Sequence, residues 1–578
     1  MSSPTILFLL VAVSLLIYFK YNRPRRVGLN YPPGPRKLPF VGNLLQLPKE
    51  RQWIKFREWA TEYGPIFHLE AGPDHIVVLN TPEATEDLLV KRNRIFTDRM
   101  SPHVAADIVS AGQRMLFLPG ASTAYKSMRK ALAAELGPAP SKHYRRHQDL
   151  ESRVFLYDFL RHGNKTDMLM KGKSRDKDAL HDPDYVEQHW FSLVRRFSTS
   201  VVLMVMYGER VHKIKDNKTL YDLYEVVDNI THIAVPGAFM ADVFTCMQKL
   251  PNILAPWRLK AQKMHERELD LYGGFLTKIR ADQRAGINRP ECFVGKYLKA
   301  RDIAVPNELA TSGRGITPNG WLRDMLLAYS AGTILEAGSD TTTSAIISFF
   351  LFMLWHPEVM QKAREEIDRV VGPDRLPTFE DEEKLPYIVA IVKEVIRCRP
   401  PTPLGIPHRS IEDTVYNGYL IPKGSLVFGN VWALHLDPAR FHSPTEFIPD
   451  RWLSGSDEKD FSIRWGGSGP KQTRDHYVFG WGRRFCLGMH IAEASLFIAV
   501  ARIIWGLDIH APADPLTGKS LLLDPWDEEN YTAGFVTNAV PFNVTFKPRS
   551  MRHMEVLQHA FEDAQDQWEI LGLSKDER

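Results

Sequence analysis

The stretch Phe479-Gly480-Trp481-Gly482-Arg483-Arg484-Phe485-Cys486-Leu487-Gly488 gathers a nucleophile, charge and turn residues within one loop. Two early glycines make a tight turn, and Cys486 then lies just before an apolar run, 489–505, that reads as a helix. A thiol at a helix N-terminus feels the macrodipole and nearby donors, which favour thiolate. Arg484 adds positive charge on that side, and Gly488 leaves room for a flat ligand against the helix. A lone cysteine is more often a small core residue than a ligand. The spacing of glycine, arginine and cysteine reverses that preference here.

A second grouping, Ala337-Gly338-Ser339-Asp340-Thr341-Thr342, interrupts the apolar run 326–355. Asp and Thr compete poorly for interior helical positions. One explanation has Thr341 bonding back to the carbonyl four residues earlier, with Asp340 in solvent or a salt bridge. The other has the pair hold water and move protons, with Gly338 opening room beside them.

The elements that must position these groups are mainly helical. Long candidates cover about 187–208, 256–286, 320–355, 357–371, 385–398 and 489–505. A strand pair is expected from Ile66-Phe67-His68-Leu69 and His75-Ile76-Val77-Val78-Leu79, turning at Gly72-Pro73-Asp74. Thr81-Pro82-Glu83 reads as N-cap, N1 proline and acidic first turn of a helix to about Arg92. Asn417-Gly418 marks a second hairpin. The polar segment 166–185 reads as an inserted surface loop, and 551–573 as a peripheral helix packed on the body.

At roughly 150 residues per domain the length alone suggests about four domains. The chain is 44% hydrophobic and 25% charged, which excludes global disorder. Lys and Arg total 73 against 69 Asp and Glu, and no basic run is interleaved with aromatics, so nucleic acid is not expected as a partner. Cys246, Cys292, Cys398 and Cys486 are scattered, which excludes a four-cysteine zinc ribbon and argues for a reducing compartment. Residues 4–19 are apolar apart from Thr5 and Ser14, and Lys20, Arg23, Arg25 and Arg26 follow. Sixteen helical residues span about 24 Å, slightly under an endoplasmic-reticulum core of about 27 Å. With no basic residues before it and no small-residue cleavage site, the segment reads as an uncleaved anchor whose basic flank stays cytosolic. Tyr31-Pro32-Pro33-Gly34-Pro35 then forms a stiff spacer.

With these residues in view, the chain resembles the cytochrome P-450 haem-thiolate monooxygenases. The family's FxxGxRxCxG pattern is met by Phe479, Gly482, Arg484, Cys486 and Gly488. The resemblance implies haem b, with Cys486 as axial ligand to iron and Arg484 meeting a propionate. A thiolate there favours O–O cleavage. Glu394-Val395-Ile396-Arg397 looks like the family's ExxR, and Phe447-Ile448-Pro449-Asp450-Arg451-Trp452 like its PERF-type segment. The two together imply a structural Glu-Arg-Arg network of Glu394, Arg397 and Arg451. Asp340 and Thr341 resemble the acid–alcohol pair that relays protons. Lys126 and Arg129 stand where the family usually has W-R-x-x-R, and His408 or Arg409 would also reach a propionate.

The implied architecture is mainly α with small β-sheets. It places a transmembrane anchor and basic flank at 1–27, one haem domain at 28–548 and a helical tail at 549–578. Segments such as 96–118, 233–243, 335–337, 403–406 and 534–535 are mostly apolar, with no fixed cation or anion, which suggests a lipophilic small-molecule substrate. Val235-Pro236-Gly237-Ala238-Phe239 and Leu250-Pro251 look like fungal branches that serve secondary metabolism. No dinucleotide loop is present, so electrons are expected from a separate NADPH-linked flavoprotein reductase at the endoplasmic-reticulum membrane, with Lys471, Arg474, Arg483 and Arg484 as a basic docking face or simply a solvated one. The rivals are a haem-thiolate isomerase or dehydratase, against which Thr341 argues, and a membrane-tethered haem-binding protein without turnover.

Overall fold

The computed structural model describes residues 29–574, apart from 40, 73, 163–189, 216, 236–237, 454–464, 466–473, 514–516 and 518–519. The expected anchor and the 166–185 loop lie outside the described residues. The chain parses into two compact units, one of 1–100, 404–434 and 481–484, the other of 101–403, 435–480 and 485–578.

The smaller unit is built on a five-stranded sheet in the order β1-β2-β7-β4-β3. Its strands are β1 (Ile66–Ala71), β2 (Asp74–Leu79), β3 (Asp98–Arg99), β4 (His408–Arg409) and β7 (Leu426–Gly429). Strands β5 (Thr414–Tyr416) and β6 (Tyr419–Ile421) form a separate hairpin. Its turn residues Asn417 and Gly418 have φ of 49° and 79°, the left-handed pair that such two-residue turns require. One face of the main sheet presents Phe67, Leu69, Ile76, Val78 and Phe428, which pack on Phe56 and Trp59 of helix α1 (Gln52–Tyr63). The alternate residues His68, Glu70 and His75 therefore share the other face. Thr81 Oγ1 caps Ala84 N–H at 3.3 Å, as the Thr-Pro-Glu pattern predicts.

The larger unit is helical: α2 (Thr123–Leu136), α3 (Arg145–His162), α4 (Phe191–Tyr207), α5 (Lys218–Ile233), α6 (Pro256–Arg284), α7 (Phe293–Ala304), α8 (Asp324–Trp355), α9 (Pro357–Val370), α10 (Pro386–Cys398), α11 (Met489–Gly506) and α12 (Met551–Ile570). A small hairpin of β8 (Leu507–His510) and β9 (Thr545–Pro548) completes it. Helices α8 and α11 are long and apolar enough to cross a membrane, but most of their surface is buried in protein and they are core helices. Helix α8 runs along α4 so closely that a Cβ on Gly338 would lie 2.6 Å from Val202 Cγ2. A Cβ on Gly332 would meet the Tyr272 ring at 2.7 Å. The tail helix α12 packs as expected, with Trp568 and Phe561 buried and the Phe561 ring 4.2 Å from Tyr157.

Candidate active site

The cysteine loop ends where α11 begins, with Gly488 as the helix N-cap. The loop is closed by Cys486 N–H donating to the Phe479 carbonyl at 2.9 Å. The N–H groups of Gly488 and Met489 are aimed at Cys486 Sγ. Burial nevertheless pushes the thiol above its ordinary value, while those N–H groups and the Arg129 guanidinium pull it back. The helix-terminal donors thus act in the expected direction, towards thiolate, and burial opposes them. Desolvation wins, and a cation at Sγ is what would displace the proton.

Cys486 carries exposed surface. A Cβ on Gly488 would meet nothing but Cys486 Sγ, at 3.9 Å. An accessible thiol with an open approach over a glycine fits the edge-free face of a planar macrocycle. Arg129, half-buried on α2, donates to the Phe485 carbonyl at 3.3 Å and so stands beside the loop. Lys126 is one turn earlier on the same side of α2, exposed, with no ion pair or side-chain hydrogen bond among the described residues.

In the smaller unit, Gly482 has φ 54° and its missing Cβ would lie 2.3 Å from the Leu89 carbonyl oxygen. Only glycine fits that turn. Arg484 Nε donates to the Thr97 carbonyl at 2.7 Å. His408 is buried, and its Nδ1 donates to the Phe96 carbonyl at 2.6 Å. Burial holds this imidazole well below its usual value, and the Arg99 and Arg484 guanidiniums push it the same way. Thr97 Oγ1 is buried with no hydrogen-bond partner among the described residues. Two guanidiniums and an orphan hydroxyl make a donor set that suits carboxylates, beside an imidazole whose one N–H is given to Phe96.

Arg99 was not legible in the sequence. It faces His408 across the β3–β4 pairing, buried, and donates to the Ile406 carbonyl. Arg409 projects to the opposite face of β4, where its Nε donates to the Gly424 carbonyl at 3.3 Å. Of the two expected residues, His408 joins Arg484 and Arg409 turns away.

On α8 the midsection is largely buried, yet Ala337 is exposed and Thr341, on the same face one turn later, is half-buried. Thr341 Oγ1 donates to the Ala337 carbonyl at 2.9 Å. Asp340 pairs with Arg195 of α4 at 3.1 Å, and that guanidinium lies 3.5 Å over the Tyr224 ring. Gly338 is not simply an opening, as its spacing suggested: the approach of Val202 demands it. Among the segments read as free of fixed charge, Arg114 and Glu336 are both buried and paired with each other, and Arg114 also binds Glu268 at 2.5 Å. Those charges close on one another.

The structural network expected from ExxR is present. Glu394 accepts from Arg397 Nη2 at 2.7 Å, Arg451 Nε at 3.1 Å, Trp452 Nε1 at 3.0 Å and the Ile448 N–H at 2.9 Å. The opposing guanidiniums hold this buried carboxyl below its usual range despite its desolvation.

Residues 32–517 match the family model described as cytochrome P450. Cytochrome P450 monooxygenase 69 of Postia placenta is 45% identical over 98% of both chains. Cytochrome P450 monooxygenase virE of Hypocrea virens is 34% identical, spanning 100% of this chain and 95% of its own. A zebrafish cytochrome P450 solved with abiraterone shares the fold, with a TM-score of 0.61 at 21% identity over 86% of this chain and all of its own. A cysteine loop of matching pattern, a family match over most of the length and near full-length monooxygenase relatives agree: the chain belongs to the cytochrome P450 family.

Proposed function

We propose that this monooxygenase inserts one oxygen atom of O2 into a lipophilic small molecule, with Cys486 as the residue that would hold the iron of haem b. The observation that carries the reading is the Cys486 thiol, accessible and met by two helix-terminal N–H groups beside an unfilled glycine. Haem, when bound, supplies the dioxygen-activating iron chemistry. Arg484 and Arg99, with His408 beside them, would serve propionate contacts from the smaller unit, and Arg129 with Lys126 would do so from the larger. A lysine there is a point charge without the bidentate fork, so Arg129 bears the larger share.

Asp340 and Thr341 move protons in this reading. Thr341 keeps its oxygen lone pairs available while its hydrogen is held by the Ala337 carbonyl. Releasing that bond costs about 1 kcal/mol, and the part-exposed Asp340–Arg195 pair is worth about as little. Both groups can therefore turn between holding and passing a proton.

Electrons come from an NADPH-linked flavoprotein reductase, with the chain anchored by residues 1–27 in the endoplasmic-reticulum membrane and its body in the cytosol. A role in fungal secondary metabolism rests on the 235–239 and 250–251 segments. NADPH consumption with purified reductase, matched to product, separates turnover from mere haem binding and from isomerisation. A compound library screened for the spectral shift on displacing iron-bound water identifies the substrate class. Glycosylation at Asn164, Asn217, Asn229, Asn530 or Asn543 in eukaryotic expression would overturn the cytosolic topology.

A further inference from the structure

The sheet face opposite the aromatic core of the smaller unit holds a second donor set, unrelated to the cysteine loop. His68 and Glu70 stand two residues apart on β1, and His75 is the register partner of Glu70 on β2. All three side chains consequently emerge on one face. His68 Nε2 and His75 Nδ1 are 2.9 Å apart, and one ligand atom from each of the three residues lies within 4.8 Å of the others. Among the described residues this is the one such grouping of three. Zinc bound at about 2.0–2.1 Å in tetrahedral geometry sets its ligands roughly 3.3 Å apart, so small side-chain rotations suffice.

We infer that His68, Glu70 and His75 form a divalent-cation site, best suited to Zn2+, that pins the proline spacer to the sheet. Two imidazoles and one carboxylate are a common zinc donor set, leaving a fourth position for water. Lys37 Nζ binds Glu70 Oε1 at 2.7 Å, which leaves the second carboxylate oxygen to the metal and orients it. The Tyr31 ring lies 4.7 Å from the His68 ring and 5.2 Å from the His75 ring. His68 N–H donates to the Pro33 carbonyl at 2.8 Å, and a Cβ on Gly34 would lie 2.1 Å from the His68 oxygen. An ion that fixes these two imidazoles thereby fixes the surface on which the spacer rests.

The test uses the full haem-loaded chain, stripped with chelator, dialysed against Zn2+ and assayed by elemental analysis and thermal unfolding. One zinc per chain is expected, with a Tm that rises with zinc concentration. His75→Ala should weaken uptake by at least about 100-fold, and Lys37→Ala by roughly 10-fold. Haem content, read from the Soret band, should stay equal in every variant, which separates this site from the cysteine-loop reading. No zinc uptake by the parent chain, or undiminished uptake by His75→Ala, would reduce the pair to a plain His–His hydrogen bond and overturn the site.

Discussion

Two regions of the larger unit hold polar side chains, and they treat them in opposite ways. Around Glu394 every lone pair that matters is answered: two arginines, an indole and a backbone N–H converge on one carboxylate. At Cys486 and on the Ala337–Thr341 face, side chains keep accessible surface and make few, local contacts. Saturation gives rigidity and leaves nothing to offer a ligand. Incomplete satisfaction is what a site needs, because a group already fully bonded cannot exchange partners during a reaction.

The sharpest way to break that contrast is Cys486→Ala. It should abolish product formation and the thiolate-type Soret band of the reduced carbon-monoxide complex while the far-ultraviolet dichroism stays helical; a retained band would move the ligand elsewhere. Next, Glu394→Gln leaves Arg397 and Arg451 buried and uncompensated, with a loss of about 3–5 kcal/mol in denaturant unfolding. A loss below about 1 kcal/mol would show that the network is less saturated than its contacts imply.

His147 tests a case between the two regions. It is buried against Trp568 of the tail helix, with Nδ1 lacking a hydrogen-bond partner among the described residues. Burial, aided by Arg146, lowers its pKa from 6.5 to about 4. The unfolded chain thus binds a proton there that the folded chain refuses, and stability falls as pH drops from 6.5 towards 4. The expected loss is on the order of 2 kcal/mol, absent in His147→Phe, followed by urea melts across that range. The smallest structural effect belongs to Thr341→Ala, within about 0.5 kcal/mol of the parent. Its signature is chemical: several-fold less product per NADPH consumed, so unchanged coupling would remove Thr341 from the relay.

What could be read beforehand divides along sequence distance. The cysteine loop, the Glu394–Arg397 pair and the Lys126–Arg129 side of α2 are local in the chain, so spacing of i, i+3 or a contiguous motif reveals them. The long helices were legible from apolar runs, α8 and α11 especially. Arg99 beside His408, Glu268 beside Arg114, and Val202 against Gly338 are made by pairing and packing between distant segments. No periodicity encodes them. At the thiol the helix-terminal donors were visible in the sequence, whereas the burial that opposes them was not.

The docking of the spacer has a mechanical consequence. The chain is already held at Asn30, whose carbonyl accepts from Leu420 N–H at 2.8 Å, and Tyr31, Pro33 and Gly34 stay in contact with the sheet after it. If the membrane segment and its basic flank end at residue 27, the slack between bilayer and body is about three residues, a leash of roughly 10 Å. With the anchor proposed above, so short a leash would restrict how far the body turns. The same side would then face the lipid, and a lipophilic molecule dissolved in that leaflet would meet that face first.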